Sequence, residues 1–432
     1  MLMAMVAGIV IGLMFLMVRE SYGADSSIWQ SINNLLFQDI TAKGANSAIG
    51  LFYIGGQLFI RSLQLVIVPM VFASVVLALC GIHEASVIGR LSAKTIGWFL
   101  LMSFCALILA CAVGMFCFET GMFHATVKGL AAATGSTGSN PLKVILNIVP
   151  SNIMAVFSVN NAVLAVVFVA IVVGLSMNAL GLGKDSVMYR GCDEVLKIIV
   201  VFLNYVVMKF GPIAIFMLLC RTFAIYGIAY LMPALVYVVI CVALLLLFLF
   251  LGYPAFIALI VHENPVTFIR KIFKVIVFGF ATSSSAATLP LNIETNVKDL
   301  GVDPKVASFV LPLGMTINMN GTAIMQVIAT FFIAGCAGYD VTFVQMLVIM
   351  VLALIASAGT PAAPGAGAII LFTILAGVGF TNEGAMIAYS LILAINRPIE
   401  MLVTSLNCVG DSVAAIGVSK SEGTLNEEVY NA

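Results

Sequence analysis

The sequence predicts an all-α, polytopic membrane protein, and three observations carry that prediction. Of 432 residues, 62% are apolar and only 9% charged, where a soluble domain carries about 25% charged residues. Mean hydropathy is +1.17. Apolar stretches long enough to cross ~30 Å of hydrocarbon recur from end to end, and the alternating pattern of barrel strands is missing. A water-soluble globule is excluded. The 19 basic and 19 acidic residues cancel, which leaves no basic surface for nucleic acid.

The apolar segments lie at 1–18, 47–82, 91–118, 146–182, 193–222, 229–261, 305–338, 343–379 and 385–418. Polar breaks fall at 19–44, 119–140, 183–190 and 262–274. The first run lacks the basic n-region of a secretory signal, so it reads as a retained first helix. Lys and Arg favour cytoplasmic loops, which places Arg90, Lys94, Arg270, Lys271 and Lys274 on the inner side. The nine cysteines include no CxxC, and thiols inside apolar runs behave as small hydrophobes. His83, His124 and His262 are scattered, and Walker A, HExxH and GxSxG patterns are absent. Soluble enzyme chemistry has nothing to stand on.

From about residue 280 the pattern changes. Small and polar residues interrupt the apolar runs at 282–290 (TSSSAATLP), 318–322 (NMNGT) and 357–367 (SAGTPAAPGAG). Each backbone group freed in hydrocarbon costs several kcal/mol unless protein or a water-filled cavity satisfies it. Two interrupted segments, around Ser284 and Gly365, each precede a continuous helix. That order is the mark of an inverted repeat with a binding site at mid-membrane.

The final apolar run holds Arg397, Glu400, Thr404, Asn407 and Asp411. At 100° per residue the last four fall on one narrow stripe. A charge at the bilayer centre costs at least ~2.5–3.5 kcal/mol, so the stripe faces inward and is functional by default. Arg397 can neutralise Glu400 at i,i+3, which leaves Asp411 alone. A bound sodium ion is the simplest counter-charge, since sodium favours carboxylate, amide and carbonyl oxygens. A protonated Asp411 is the competing account.

With these residues assembled, the chain resembles the dicarboxylate/amino acid:cation symporter family. The marks are Ser283-Ser284-Ser285 with Thr288-Leu289-Pro290, the 312–322 run PLGMTINMNGT, Pro364-Gly365-Ala366-Gly367, and the 404–412 run TSLNCVGDS. The resemblance implies eight transmembrane helices, two re-entrant hairpins (263–298 and 341–380) with tips near Ser284 and Ala363, and an elevator-like movement. It implies a homotrimer built on scaffold helices in 1–82 and 146–222, with 91–118 and 229–418 forming the transport region. By position, Ser284, Thr322, Ala363, Gly367, Glu400, Thr404 and Asn407 would surround the substrate. Gly314, Asn318, Asn407 and Asp411 would hold one sodium, the coupling ion. Thr316, Met319, Ser357, Ala358 and Thr360 would offer mostly backbone oxygens to a second.

Three departures shape the expected function. Val403 stands where transporters of acidic substrates usually place an arginine, and an unpaired substrate carboxylate would cost several kcal/mol. A small neutral amino acid is therefore the expected cargo, with an acidic amino acid or C4-dicarboxylate as the alternative if Arg397 reaches inward. Glu400 replaces the aspartate that takes the substrate's amino group. Asn320 replaces the acid of the family's NMDGT motif and Met102 a threonine, so fewer than three coupled sodium ions are expected.

Overall fold

A computed structural model describes residues 2–41, 45–80, 87–124, 149–158, 163–183, 185–227, 231–360 and 365–432, and every regular element in them is helical. The first half contains α1 (Leu2–Tyr22), α2 (Ser27–Ile32), α3 (Leu51–Leu65), α4 (Ile67–Cys80) and α5 (Val87–Glu119). It continues with α6 (Ile153–Phe157), α7 (Val163–Ala179), α8 (Val187–Tyr205), α9 (Gly211–Tyr226) and α10 (Leu231–Leu247). The second half adds α11 (Pro265–Thr282), α12 (Ser285–Lys298), α13 (Pro304–Ile317), α14 (Asn320–Ala337) and α15 (Phe343–Ala358). It ends with α16 (Ala366–Val378), α17 (Glu383–Ile395), α18 (Arg397–Ser421) and α19 (Glu427–Asn431). Among the described residues six helical spans are long and apolar enough to cross a membrane.

Local chemistry explains where the helices start and stop. The segment 47–82 is interrupted at Val66, whose φ and ψ are −96° and −5°, because Pro69 has no N–H to offer the Leu65 carbonyl. The segment 146–182 contains two helices, α6 and α7, rather than one. The polar break 262–274 is largely the start of α11. Asn264 caps the Val266 and Thr267 N–H groups there, with Pro265 at the first position. Of the break 119–140, residues 125–140 lie outside the described part. Helices α11 and α12 pack against each other, as do α15 and α16. The α11/α12 turn is two serines long: Ser283 adopts a left-handed φ of 50° and Ser284 caps α12 by accepting from the Ala287 N–H.

Hydropathy and burial run in opposite directions, as a lipid solvent requires. An 18-residue stretch of the span Met232–Val261 has mean hydropathy 3.2 and is 39% buried, whereas one within Pro304–Ala337 has 1.4 and is 100% buried. Apolar side chains of the first are free to meet lipid tails. The second can carry asparagines because protein surrounds it. Helix α14 is the hub, packing on α5, α10, α16, α17 and α18, while α11, α12 and α13 all lie against α18. A second grouping joins α1 to α9, α9 to α3, and α4 to α7 and α8.

The basic residues assigned to the inner side gather at one end with the chain's terminus. Arg90 and Lys94 each lie 2.5 Å from Glu422, and Lys274 lies 2.6 Å from Asp299. Lys94 and Arg90 hold the Glu422 carboxyl below its usual range. Lys420 bridges Glu263 and Glu427. Lys271 donates to the carbonyls of Asp299, Val429 and Tyr430 at 2.9, 2.7 and 2.9 Å. The acidic tail is thus folded back, and Tyr430 is fully buried with its hydroxyl on the Asn264 carbonyl at 3.0 Å. Tyr430→Ala should cost about 3 kcal/mol, as truncation of a buried aromatic does, read as a lower thermal-unfolding midpoint in nanodiscs. An unchanged midpoint would show that the tail adds no stability.

Candidate substrate and cation site

The site begins where one helix breaks. Between α13 and α14, Asn318 and Met319 leave helical geometry, with φ and ψ of −88° and 72°, then −104° and 52°. Pro312 sits one turn and a half before the break and removes an N–H from the same segment. Such a break is tolerable at membrane depth only against protein or a cavity, and α18 supplies the protein. The Gly321 N–H donates to Asn407 Oδ1 at 2.8 Å, and Asn407 Nδ2 donates to Thr322 Oγ1 and to the Met319 sulfur, both at 3.2 Å. Asn318 Nδ2 donates to Asp411 Oδ1 at 3.0 Å. A Cβ on Gly314 would lie 2.4 Å from that same oxygen, so only glycine lets α13 come this close to the carboxylate.

Asp411 is 2% exposed, and among the described residues no basic side chain forms an ion pair with it. A chain of neutral groups runs away from it. Asn320 Nδ2 donates to Asn318 Oδ1 at 3.0 Å and to the Tyr253 hydroxyl at 3.1 Å, while Ser103 Oγ donates to Asn320 Oδ1 at 2.6 Å. The Asn320 amide is therefore satisfied by protein alone. Met102, beside Ser103, is fully buried.

A second cluster lies one helical turn or more toward the start of α18. Arg397 Nη1 is 3.7 Å from Glu400 Oε2, and the Ala368 N–H at the start of α16 faces the Glu400 carboxylate. A Cβ on Gly365 would lie 3.9 Å from Glu400 Oε2, and one on Gly367 would lie 3.2 Å from the Thr322 methyl. Gln326 Nε2 holds the Gly367 carbonyl at 3.1 Å. Four buried polar atoms here make no hydrogen bond among the described residues: Arg397 Nη1, Glu400 Oε1, Asn396 Nδ2 and Gln326 Oε1. Donors and acceptors left unpaired in a dry interior cost about 1–3 kcal/mol each, and a ligand with both charges can satisfy them.

The structure brings Thr322 into contact with Gly367 and Asn407, with Glu400 beside Gly365, and it groups Gly314 and Asn318 on Asp411, with Asn407 on the Gly321 N–H. Val403 and Thr404 are buried on the same helix; the Thr404 hydroxyl donates to the Glu400 carbonyl at 3.0 Å. Ser284 serves as the cap of α12. Ala363 lies outside the described residues. Thr316, Ser357 and Thr360 turn their hydroxyls back to the carbonyls of Leu313, Leu354 and Ala356. A hydroxyl that donates keeps its lone pairs, so these three oxygens remain available beside the backbone oxygens of the set, those of Met319 and Ala358 included. Sequence reasoning missed Gln326, Asn396 and Tyr253. It also missed the bridge that ties α12 to α18: Asn292 donates to the Cys408 carbonyl at 3.0 Å, and Asn296 to Ser412 Oγ at 2.9 Å. The signal was present, since two asparagines four apart lie on one face of a helix and can share a partner.

Comparison with known proteins places these residues in a wider set. A family model described as the sodium:dicarboxylate symporter family matches residues 1–421. The proton/sodium-glutamate symport protein of Bacillus caldotenax is 27% identical over 383 residues, covering 86% of this chain and 88% of that protein. The proton/glutamate-aspartate symporter of Escherichia coli (strain K12) is 27% identical over 434 residues, covering 98% and 92%. The C4-dicarboxylate transport protein of Agrobacterium fabrum is 28% identical over 422 residues, covering 91% and 90%.

Proposed function

The chain belongs to the sodium:dicarboxylate symporter family, and from that premise we propose that this cation-coupled symporter carries an acidic amino acid or C4-dicarboxylate. It is a multi-pass plasma-membrane protein and not an enzyme. One observation carries the substrate class: Arg397 Nη1 is buried without a hydrogen-bond partner, 3.7 Å from Glu400. That guanidinium replaces the missing arginine at Val403 as the partner of a substrate carboxylate, and the relatives' names favour the same class. A planar five-donor fork suits a carboxylate. Glu400 takes the ammonium of an amino-acid substrate, and Thr322, Thr404 and Asn407 orient it. The second reading, a small neutral amino acid, rests on Val403 alone.

Sodium is the proposed coupling ion. It sits against Asp411, with oxygens from Gly314, Asn318 and Asn407, and a second ion uses backbone oxygens of Thr316, Met319, Ser357, Ala358 and Thr360. The satisfied Asn320 amide argues against a third. Sodium at Asp411 orders the broken α13/α14 segment, which sets Thr322 against Gly367 and beside Asn407. Each ligand thereby favours the other, a reciprocal coupling. Eight transmembrane helices, with α11/α12 and α15/α16 as re-entrant hairpins, account for the two helix groupings. A homotrimer built on the α1, α3, α4, α7, α8 and α9 group and an elevator movement of the remainder belong to the same proposal.

Competition for uptake into proteoliposomes tests the substrate class. Unlabelled aspartate, glutamate or succinate should suppress labelled aspartate uptake at concentrations at least tenfold lower than serine or alanine. The reverse order would support the neutral reading. The sodium-to-substrate ratio should fall below three, and a ratio of three would count against the role given to Asn320.

A further inference from the structure

A polar cavity lies apart from the central site, where α3 and α9 meet α17. It measures about 240 Å³ and is lined by Asp39, Tyr53, Gln57, Arg221, Thr381 and Glu383, among others. Polar side chains have gathered here in a chain that is 62% apolar, and they come from elements far apart in sequence.

The charges are held in place. Arg221 Nε donates to the Phe37 carbonyl at 2.7 Å, and its guanidinium lies 5.1 Å from the centroid of the Tyr53 ring. Among the described residues no carboxylate forms an ion pair with it within 4.0 Å. Asp39 Oδ1 is anchored by the Thr41 N–H and hydroxyl at 2.7 and 2.6 Å. Glu383 Oε1 accepts from the Tyr226 hydroxyl at 3.1 Å. Gln57 also lines the cavity, and its amide adds a further donor and acceptor to the wall.

We propose that this cavity is a binding site for a small zwitterion, an α-amino acid whose carboxylate pairs with Arg221 and whose ammonium sits between Asp39 and Glu383. The charge arrangement selects that class. A simple anion would face two carboxylates, and a simple cation would face the guanidinium, so each is repelled by part of the wall. Only a ligand with both signs at short separation meets every charged group with its opposite. The volume admits a small amino acid, being smaller than the usual pocket for larger ligands. Its walls come from α3 and α9 on one side and α17 on the other, so an occupant links the two helix groupings. The assignment does not depend on the cargo of the central site.

Glycine is the probe, added to full-length protein in nanodiscs, with the thermal-unfolding midpoint as readout. Glu400→Gln disables ammonium binding at the central site and provides the background. In that background glycine should still raise the midpoint saturably, and acetate or methylammonium should need at least tenfold higher concentrations. Adding Glu383→Gln, at an exposed position whose change leaves packing intact, should weaken the glycine response at least tenfold. Arg221→Lys, which keeps the charge but loses the fork, should weaken it too. A response that disappears with Glu400→Gln alone would assign glycine to the central site and overturn the proposal, while leaving the transport reading standing. A response in the Glu383→Gln and Arg221→Lys proteins as strong as in the Glu400→Gln background would overturn it as well.

Discussion

Asp411→Asn should weaken sodium-dependent substrate binding by at least tenfold, which is about 1.4 kcal/mol, while the protein still folds. The amide oxygen of an asparagine can accept the Asn318 Nδ2 hydrogen bond that Asp411 Oδ1 accepts now, so the local shape survives and only the charge is lost. Asp411 is 2% exposed, and among the described residues it has no basic partner. A buried charge of that kind is stable only with a counter-charge, and an ion from solution is what the variant would no longer attract. Titrating sodium at fixed pH, with substrate binding as the readout, checks this. Unchanged sodium affinity in the variant would refute the role of Asp411. Binding that is equal in sodium-free and sodium-rich buffer in the native chain, but varies with pH, would transfer the coupling to a proton.

Arg397→Gln should raise the concentration needed for half-maximal aspartate or succinate uptake by about tenfold to a hundredfold. The lost interaction is a charge-assisted pair made by a side chain that is 30% exposed, worth roughly 1.5–3 kcal/mol. The same change leaves Glu400 with no ion-pair partner, because their 3.7 Å contact is the ion pair that Glu400 makes among the described residues. Uptake of serine or alanine separates the two roles. If Arg397 binds substrate carboxylate, the acidic substrates suffer far more than the neutral ones. If it merely neutralises Glu400, both classes suffer alike, and the acidic reading falls.

Much of this was legible before any coordinates. The polar stripe Glu400, Thr404, Asn407 and Asp411 follows from helical period alone, and all four side chains are buried in α18. The interruption at 318–322 is a break between α13 and α14, because an Asn-Met-Asn-Gly run has little reason to continue an apolar helix. Cargo was less legible. Val403 suggested a neutral substrate, yet an arginine two turns earlier lies beside Glu400 with an unpaired donor. Reading one position at a time does not show which neighbouring side chain can reach the same space.

Composition and periodicity by themselves determined that this is a helical membrane protein with a charged stripe hidden from lipid, since the cost of wetting oil with charge is set residue by residue. Only the tertiary structure decided that Gly314 lets α13 approach Asp411, that Gln326 holds the Gly367 carbonyl, and that the acidic tail returns to Lys271. It alone assembled the cavity around Arg221 and Glu383. The reason is physical: the period of a helix says which of its faces is polar, whereas the partner of that face is chosen by packing between segments hundreds of residues apart.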